Sequence, residues 1–184
     1  WLQNGGLTVA EGAEAIAGTV TATYWFLMLV GRLAGAALGA KVSAKSMLSV
    51  VSIVGLALVL GAIFLHPGNA LGLPVFKGTE GFGIAQVPIN AALLVLCGLC
   101  TSVMWGGIFN LAVEGLGKYT EKASGIFMAL VCGGGILPFV QNWIVDITGG
   151  DYLVSYWLIV AGLAYLLFYA LAGAKNVNKD IPVE

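Results

Sequence analysis

The sequence predicts an all-α transmembrane protein with five membrane-spanning helices, and three observations carry that reading. Hydrophobic residues make up 59% of the 184 positions and charged ones only 9%, against roughly 25% charged in soluble domains. That much apolar surface cannot be hidden inside a globule of this size, so its solvent is a bilayer. Five runs of about 20 apolar residues follow one another, each long enough to cross as a helix. None alternates apolar and polar every second residue, which excludes a β-barrel. A net charge of −1 leaves no basic stripe to neutralise phosphates, so nucleic acid is excluded as a partner.

The spans are Thr19–Ala40, Met47–Leu65, Asn90–Val113, Ala123–Val145 and Val154–Ala172. The short link from Lys41 to Ser46 forces the first two into an antiparallel pair. The link from His66 to Ile89 is the longest and rich in Gly and Pro, with room for a short surface element. Lys41, Lys45, Lys118, Lys122, Lys175 and Lys179 fall on one side of the membrane, and Lys77 alone on the other. The positive-inside rule places the Lys-rich side and the C-terminus in the cytoplasm. Residues 1–18, with Glu11 and Glu14 and no basic residue, then form an external segment. Residues 19–172 form the five-helix part, and residues 173–184 a cytoplasmic tail. The chain opens on Trp1 rather than Met, so it reads as a piece of a longer protein.

The first span carries Gly31, Gly35 and Gly39, a doubled GxxxG that lets another helix approach closely. Thr21, Trp25, Met28 and Arg32 share a neighbouring face. Arg32 is the only charge inside any span, about 12 Å from the helix end at Ala40. An Arg at that depth costs about 2.5–3.5 kcal/mol or more unless it snorkels, pairs or meets water. Snorkelling is one reading. An ion pair with Glu114, at the cytoplasmic end of the third span, is the other, and would fasten the two helices near a gate.

In the third span, Ser102, Trp105 and Phe109 share a face, with Thr101 and Asn110 nearby. An indole beside small polar groups suits a sugar, whose ring faces stack and whose hydroxyls need hydrogen-bond partners. Interhelical packing is the alternative. The fourth span holds Gly133, Gly134, Gly135 and Pro138, followed by Gln141 and Asn142. Three glycines and a proline weaken the helix, either as a packing kink or as an interruption lining a wet cavity. Cys97 and Cys100 have CxxC spacing, but inside an apolar span they read as small packing residues. One His and three Cys leave little for a metal centre.

Tyr24-Trp25, Gly31-Arg32-x-x-Gly35, Met104-Trp105-Gly-Gly-Ile-Phe-Asn-Leu-Ala112, Gly115-Leu-Gly-Lys-Tyr-Thr120, Ser124-Gly125 and Gly133-Gly-Gly-Ile-Leu-Pro138 with Asp146 form a recognisable series. In order and spacing it resembles the C-terminal half of major facilitator transporters, and within them the fucose–galactose–glucose:proton symporters of Gram-negative bacteria. The tail from Lys175 to Val183 looks like those of Bacteroidetes members. The resemblance implies helices eight to twelve of a twelve-helix fold, with the N-terminal half and its proton-coupling carboxylates absent. It implies a monosaccharide substrate, no cofactor beyond the proton as coupling ion, and a multi-pass place in the bacterial inner membrane. The partners expected are therefore the sugar, the lipid bilayer and the missing half of the chain.

Trp25, Ser102, Trp105, Asn110, Gln141 and Asn142 are the expected sugar contacts. Arg32, Glu114, Gly31, Gly35, Gly39, Gly133, Gly134, Gly135 and Pro138 are the expected gate and framework residues. Two rival functions are an exporter of drugs or other small molecules and a membrane-embedded enzyme. The enzyme would need clustered His, acids or a Ser–His pair at membrane depth, and the sequence has no such cluster. The exporter would favour a more apolar or acidic cavity.

Overall fold

A computed structural model describes residues 13–65, 70–76 and 81–174. The start of the expected external segment, His66, Lys77, and the tail with Lys175 and Lys179 lie outside the described residues. Helix α1 spans Ala13–Gly39, six residues further back than the expected span. Its threonines do not strand polar groups in an apolar phase. Thr19, Thr21 and Thr23 donate to the carbonyls of Ile16, Ala17 and Thr19 at 2.7–3.0 Å, the local satisfaction that lets hydroxyls enter a bilayer. After the turn at Lys41 and Val42, the Ser43 hydroxyl accepts from the Ser46 N–H at 3.3 Å and starts α2, Ala44–Phe64. This is an N-cap, which satisfies one of the helix's orphan donors.

The long link carries structure of its own. Strand β1 (Ala70–Phe76) pairs antiparallel with β2 (Phe82–Pro88), with Ala70 opposite Pro88 and Phe76 opposite Phe82. Side chains alternate across a strand, and here Leu73, Val75 and Val87 face inward. They pack with Val20 and Leu27 of α1 and with Ala91, Ala92 and Val95 of the next helix. The all-α architecture therefore carries one β-hairpin, folded back on its first and third spans.

Helix α3, Ile89–Val113, begins directly after Pro88. On its first turn Asn90 is fully buried, and its side-chain amide donates to the Ala62 and Leu65 carbonyls at 2.7 Å each. The last carbonyls of α2 have no partner within their own helix, and Asn90 supplies one. Leu48, Val59, Cys97, Cys100, Met104, Leu163 and Ala170 form the main core between α2, α3 and the last span. The two thiols of Cys97 and Cys100 are buried there.

The fourth span is divided into α4 (Thr120–Leu130) and α5 (Gly133–Ile147). The interruption falls at Val131 and Cys132, just ahead of the three glycines, and α5 runs through Gly133, Gly134, Gly135 and Pro138. Gly134 and Gly135 donate to Val131 and Cys132 carbonyls at 2.8 and 2.9 Å, tighter bonds typical of a helix end. Pro138 is the sixth residue of α5, past its first turn, so the helix forgoes the hydrogen bond an N–H there would give the Gly134 carbonyl. A Cβ added at any of these three glycines meets nothing within 4 Å, so they make no close contact among the described residues. Asp151 then caps α6, Tyr152–Phe168, accepting from the Leu153 N–H at 2.9 Å, and a π-helical turn over Tyr169–Gly173 ends it.

Among the described residues five stretches are long and apolar enough to cross a membrane: Ile16–Gly39, Ala44–Phe64, Ile89–Val113, Gly117–Ile147 and Tyr152–Gly173. They coincide with the five spans expected from the sequence. The fourth keeps only Val145 buried, while Leu130, Phe139 and Trp143 stand exposed on it. Such faces suit a bilayer or further protein.

Candidate functional site

The site begins at the crossing of α1 and α3. The contacts advance along both helices together, with Tyr24 beside Gly98 and Thr101, Gly31 beside Ser102, and Gly35 beside Val103. The two helices therefore run parallel. A methyl group on Gly31 or Gly35 would overlap Ser102 or Val103, and one on Gly98 would stand 2.8 Å from the Tyr24 carbonyl oxygen. Absent side chains let the backbones approach, as small-residue seams do. Gly39 is not part of this crossing, since a Cβ there meets only Met47, at an ordinary 3.9 Å. A 3.0 Å hydrogen bond between the Tyr24 and Thr101 hydroxyls ties the seam from one side.

Where the seam opens, a cleft of about 520 Å³ lies between α1, the start of α2 and α3. Arg32, Gly35 and Gly39 line it from α1, Ser43 and Met47 from α2, and Ser102, Gly106 and Asn110 from α3. The last three recur every four residues, which places them on one face. Ser102 is buried and donates to the Leu99 carbonyl at 2.6 Å. Its lone pairs remain for a ligand, but its proton is used. No acidic residue lines the cleft.

Arg32 does not pair with Glu114. Its guanidinium contacts the Met28 sulfur at 3.9 Å. The crossing explains why: Arg32 stands level with Ser102 and Val103, and Glu114 lies eleven residues past Val103. That is about 16 Å along the helix, beyond the reach of one arginine. Among the described residues no carboxylate pairs with Arg32.

The other expected contacts are spread over several faces. Trp25 is exposed, edge-on to Tyr24 at 5.8 Å. Trp105 does not turn into the cleft with Ser102. It packs on Phe127 of α4 at 5.3 Å, and Phe109 joins the same ring at 5.5 Å. Gln141 donates to the Ser155 hydroxyl at 3.3 Å, tying α5 to α6, and Asn142 is exposed. Of the six, the structure brings Ser102 and Asn110 together, and it adds Ser43 to them. Only the fold places Ser43, the cap of α2, beside the third span. Among the described residues no three His, Cys, Asp or Glu side chains group to hold a metal.

A helical membrane protein, with five candidate spans among the described residues and a cleft between three of them, is the class that fold and site define. Comparison with known proteins narrows it. A Helicobacter pylori protein named "Putative glucose/galactose transporter" is 29% identical over 156 residues, which is 83% of this chain and 33% of that protein. A glucose/galactose transporter of Brucella abortus is 37% identical over 79 residues, 43% of this chain and 19% of that one. The resemblance to sugar transporters drawn from the motifs agrees with these relatives, and the chain matches a fragment of such larger proteins. It spans about a third of the length of the Helicobacter relative. No family model and no solved structure matches it.

Proposed function

We propose that this chain is the C-terminal part of a secondary transporter that imports a neutral monosaccharide of the glucose, galactose or fucose type. The observation that carries the proposal is the similarity over 156 residues to a protein named for glucose and galactose. In this reading the parent moves sugar by proton symport and alternating access, rocking this half against an N-terminal half that holds the coupling carboxylates. It works without a cofactor and is not an enzyme. Residues 1–18 lie outside, residues 19–172 are the five-helix body, and residues 173–184 form a cytoplasmic tail at the bacterial inner membrane.

The sugar contacts proposed are Trp25 and Trp105 for ring faces, and Ser102, Asn110, Gln141 and Asn142 for hydroxyls. An uncharged, aromatic and hydrogen-bonding set suits a neutral polyhydroxyl ligand. The exposure of Trp25, Trp105 and Asn142 supports a site completed by the other half of the parent. The test is uptake of labelled glucose, galactose and fucose into vesicles holding the full-length protein, with and without an imposed pH gradient. Gradient-driven accumulation is expected. Uptake indifferent to the gradient removes proton symport, and export of an apolar cation with no sugar uptake hands the function to an exporter.

A further inference from the structure

The β-hairpin reaches further into the bundle than the helix ends it connects. Val20 and Leu27 of α1 pack on the cluster that its inner face forms with α3. At its far end the Phe82 ring meets Phe26 edge-on, with 5.4 Å between centroids. Phe26 stands ten residues into the membrane-crossing stretch that begins at Ile16, about 15 Å along the helix. The crossing gives a similar depth from α3. Tyr24 lies beside Gly98, nine residues past Ile89, or about 13 Å along that helix. The 25 residues of α3 measure about 37 Å, against a hydrocarbon core of about 30 Å. Even with all of the excess projecting at this end, the level of Phe26 falls inside the hydrocarbon, and the Phe82 ring with it.

Extended backbone at that depth is tolerated only where protein covers it or water reaches it. Among the described residues the sheet has two strands, so each has an outer edge with no strand beside it. Leu73 and Val75 of β1 are buried against α1 and α3, whereas Phe82, Ile84 and Gln86 of β2 stand exposed. Gly83 and Ala85, on the inner face of β2, are only half-buried. The composition of β2 does not suit lipid, which selects large apolar side chains on the strands facing it. Small residues fill its inner face, and the Gln86 amide lies beside Gly72 on its outer one. A further strand does not suit it either. Pro74, opposite Ile84, withholds an N–H from β1, as edges that discourage added strands do. Water satisfies such an edge without any template. We infer that the hairpin is a re-entrant element and that β2 lines a water-filled vestibule entering the bundle beside α1, with Ile84 and Gln86 on its wall. The inference concerns where water goes and not which solute follows, so it stands apart from the sugar reading.

The test is accessibility, read on the full-length protein in nanodiscs. Cys132 and any other cysteine that labels are replaced, and a nitroxide is attached through Ile84→Cys, Gln86→Cys or Pro74→Cys. Relaxation by a water-soluble nickel complex is compared with relaxation by oxygen, which partitions into lipid. Distances from the same nitroxides to gadolinium chelates on lipid headgroups give their depth. Labels on the hairpin are expected below the headgroup plane, with position 84 deeper than position 86, and relaxed several-fold more by nickel than by oxygen. Oxygen-dominated relaxation means lipid contact, and relaxation by neither means cover by protein. Either result overturns the inference. So does a label at position 84 or 74 that lies at or above the headgroups, which makes the hairpin a surface element. Positions 74 and 84 face each other across the strands, so whichever of the two variants folds is sufficient.

Discussion

Asn90 shows how one side chain can join two spans. Its amide bonds two carbonyls at the end of α2, in a place where water does not reach. Hydrogen bonds between membrane helices are worth about 0.6 kcal/mol on average and up to about 1.7. Asn90→Ala should therefore cost about 1–3 kcal/mol. Asn90→Asp should cost more, because a carboxylate would face two carbonyl oxygens. Unfolding midpoints of the full-length protein in detergent check both, and an unchanged midpoint for the Asp variant would contradict the bond assignment. The glycines of α1 give a second test at this scale. Gly31→Ala drives a methyl into Ser102 and should cost about 1–3 kcal/mol as an overpacked contact. Gly39→Ala meets only Met47 and should stay within about 0.5 kcal/mol. Equal losses at both positions would mean the crossing does not sit where we place it.

Individual elements differ in how plainly the sequence announces them. Spans are legible because about 20 apolar residues in a row have few other meanings. The hairpin is less so: its strands are short, Gly83 and Gly72 interrupt the apolar run, and Pro74 weakens the strand pattern. Its inward face becomes visible only once α1 and α3 are there to receive it. The Arg32–Glu114 pairing fails for a related reason. Counting residues to a helix end gives depth on one helix, but not the offset between two helices, which the glycine crossing sets. Trp105 likewise shares a helical face with Ser102 by spacing, yet the ring of Phe127 draws it to α4. The divided fourth span carries its own prediction. Because the space around Gly134 is open, Gly134→Leu should leave the unfolding free energy within about 0.5 kcal/mol of its starting value. Uptake by the full-length protein should nevertheless fall several-fold, if the bend faces the transport path. Normal uptake by this variant would remove α5 from that path.

Across the whole molecule, α1, α2, α3, the hairpin and α6 share two packed clusters. The α4–α5 pair is attached at its flanks, by the Trp105–Phe127 stack and by Gln141 on Ser155. Orientation in the membrane belongs to this scale too. The positive-inside rule expects Lys41, Lys45, Lys118 and Lys122 on the cytoplasmic side, and on that expectation a cysteine at position 118 should resist an impermeant thiol reagent added to intact cells. A cysteine at position 77 should react. The reverse pattern would invert the topology and, with it, the direction in which the cleft beside Arg32 opens.

The clasp at Asn90 bears on how the sequence can drift. An amide that binds backbone carbonyls does not register which side chain its partner residue carries. Leu65, exposed and bonded to Asn90 through its backbone carbonyl, can exchange its side chain without removing that hydrogen bond. Position 90 has no such latitude, since any replacement must offer the same two donors from the same turn. Within one contact, one partner is free to vary and the other is fixed.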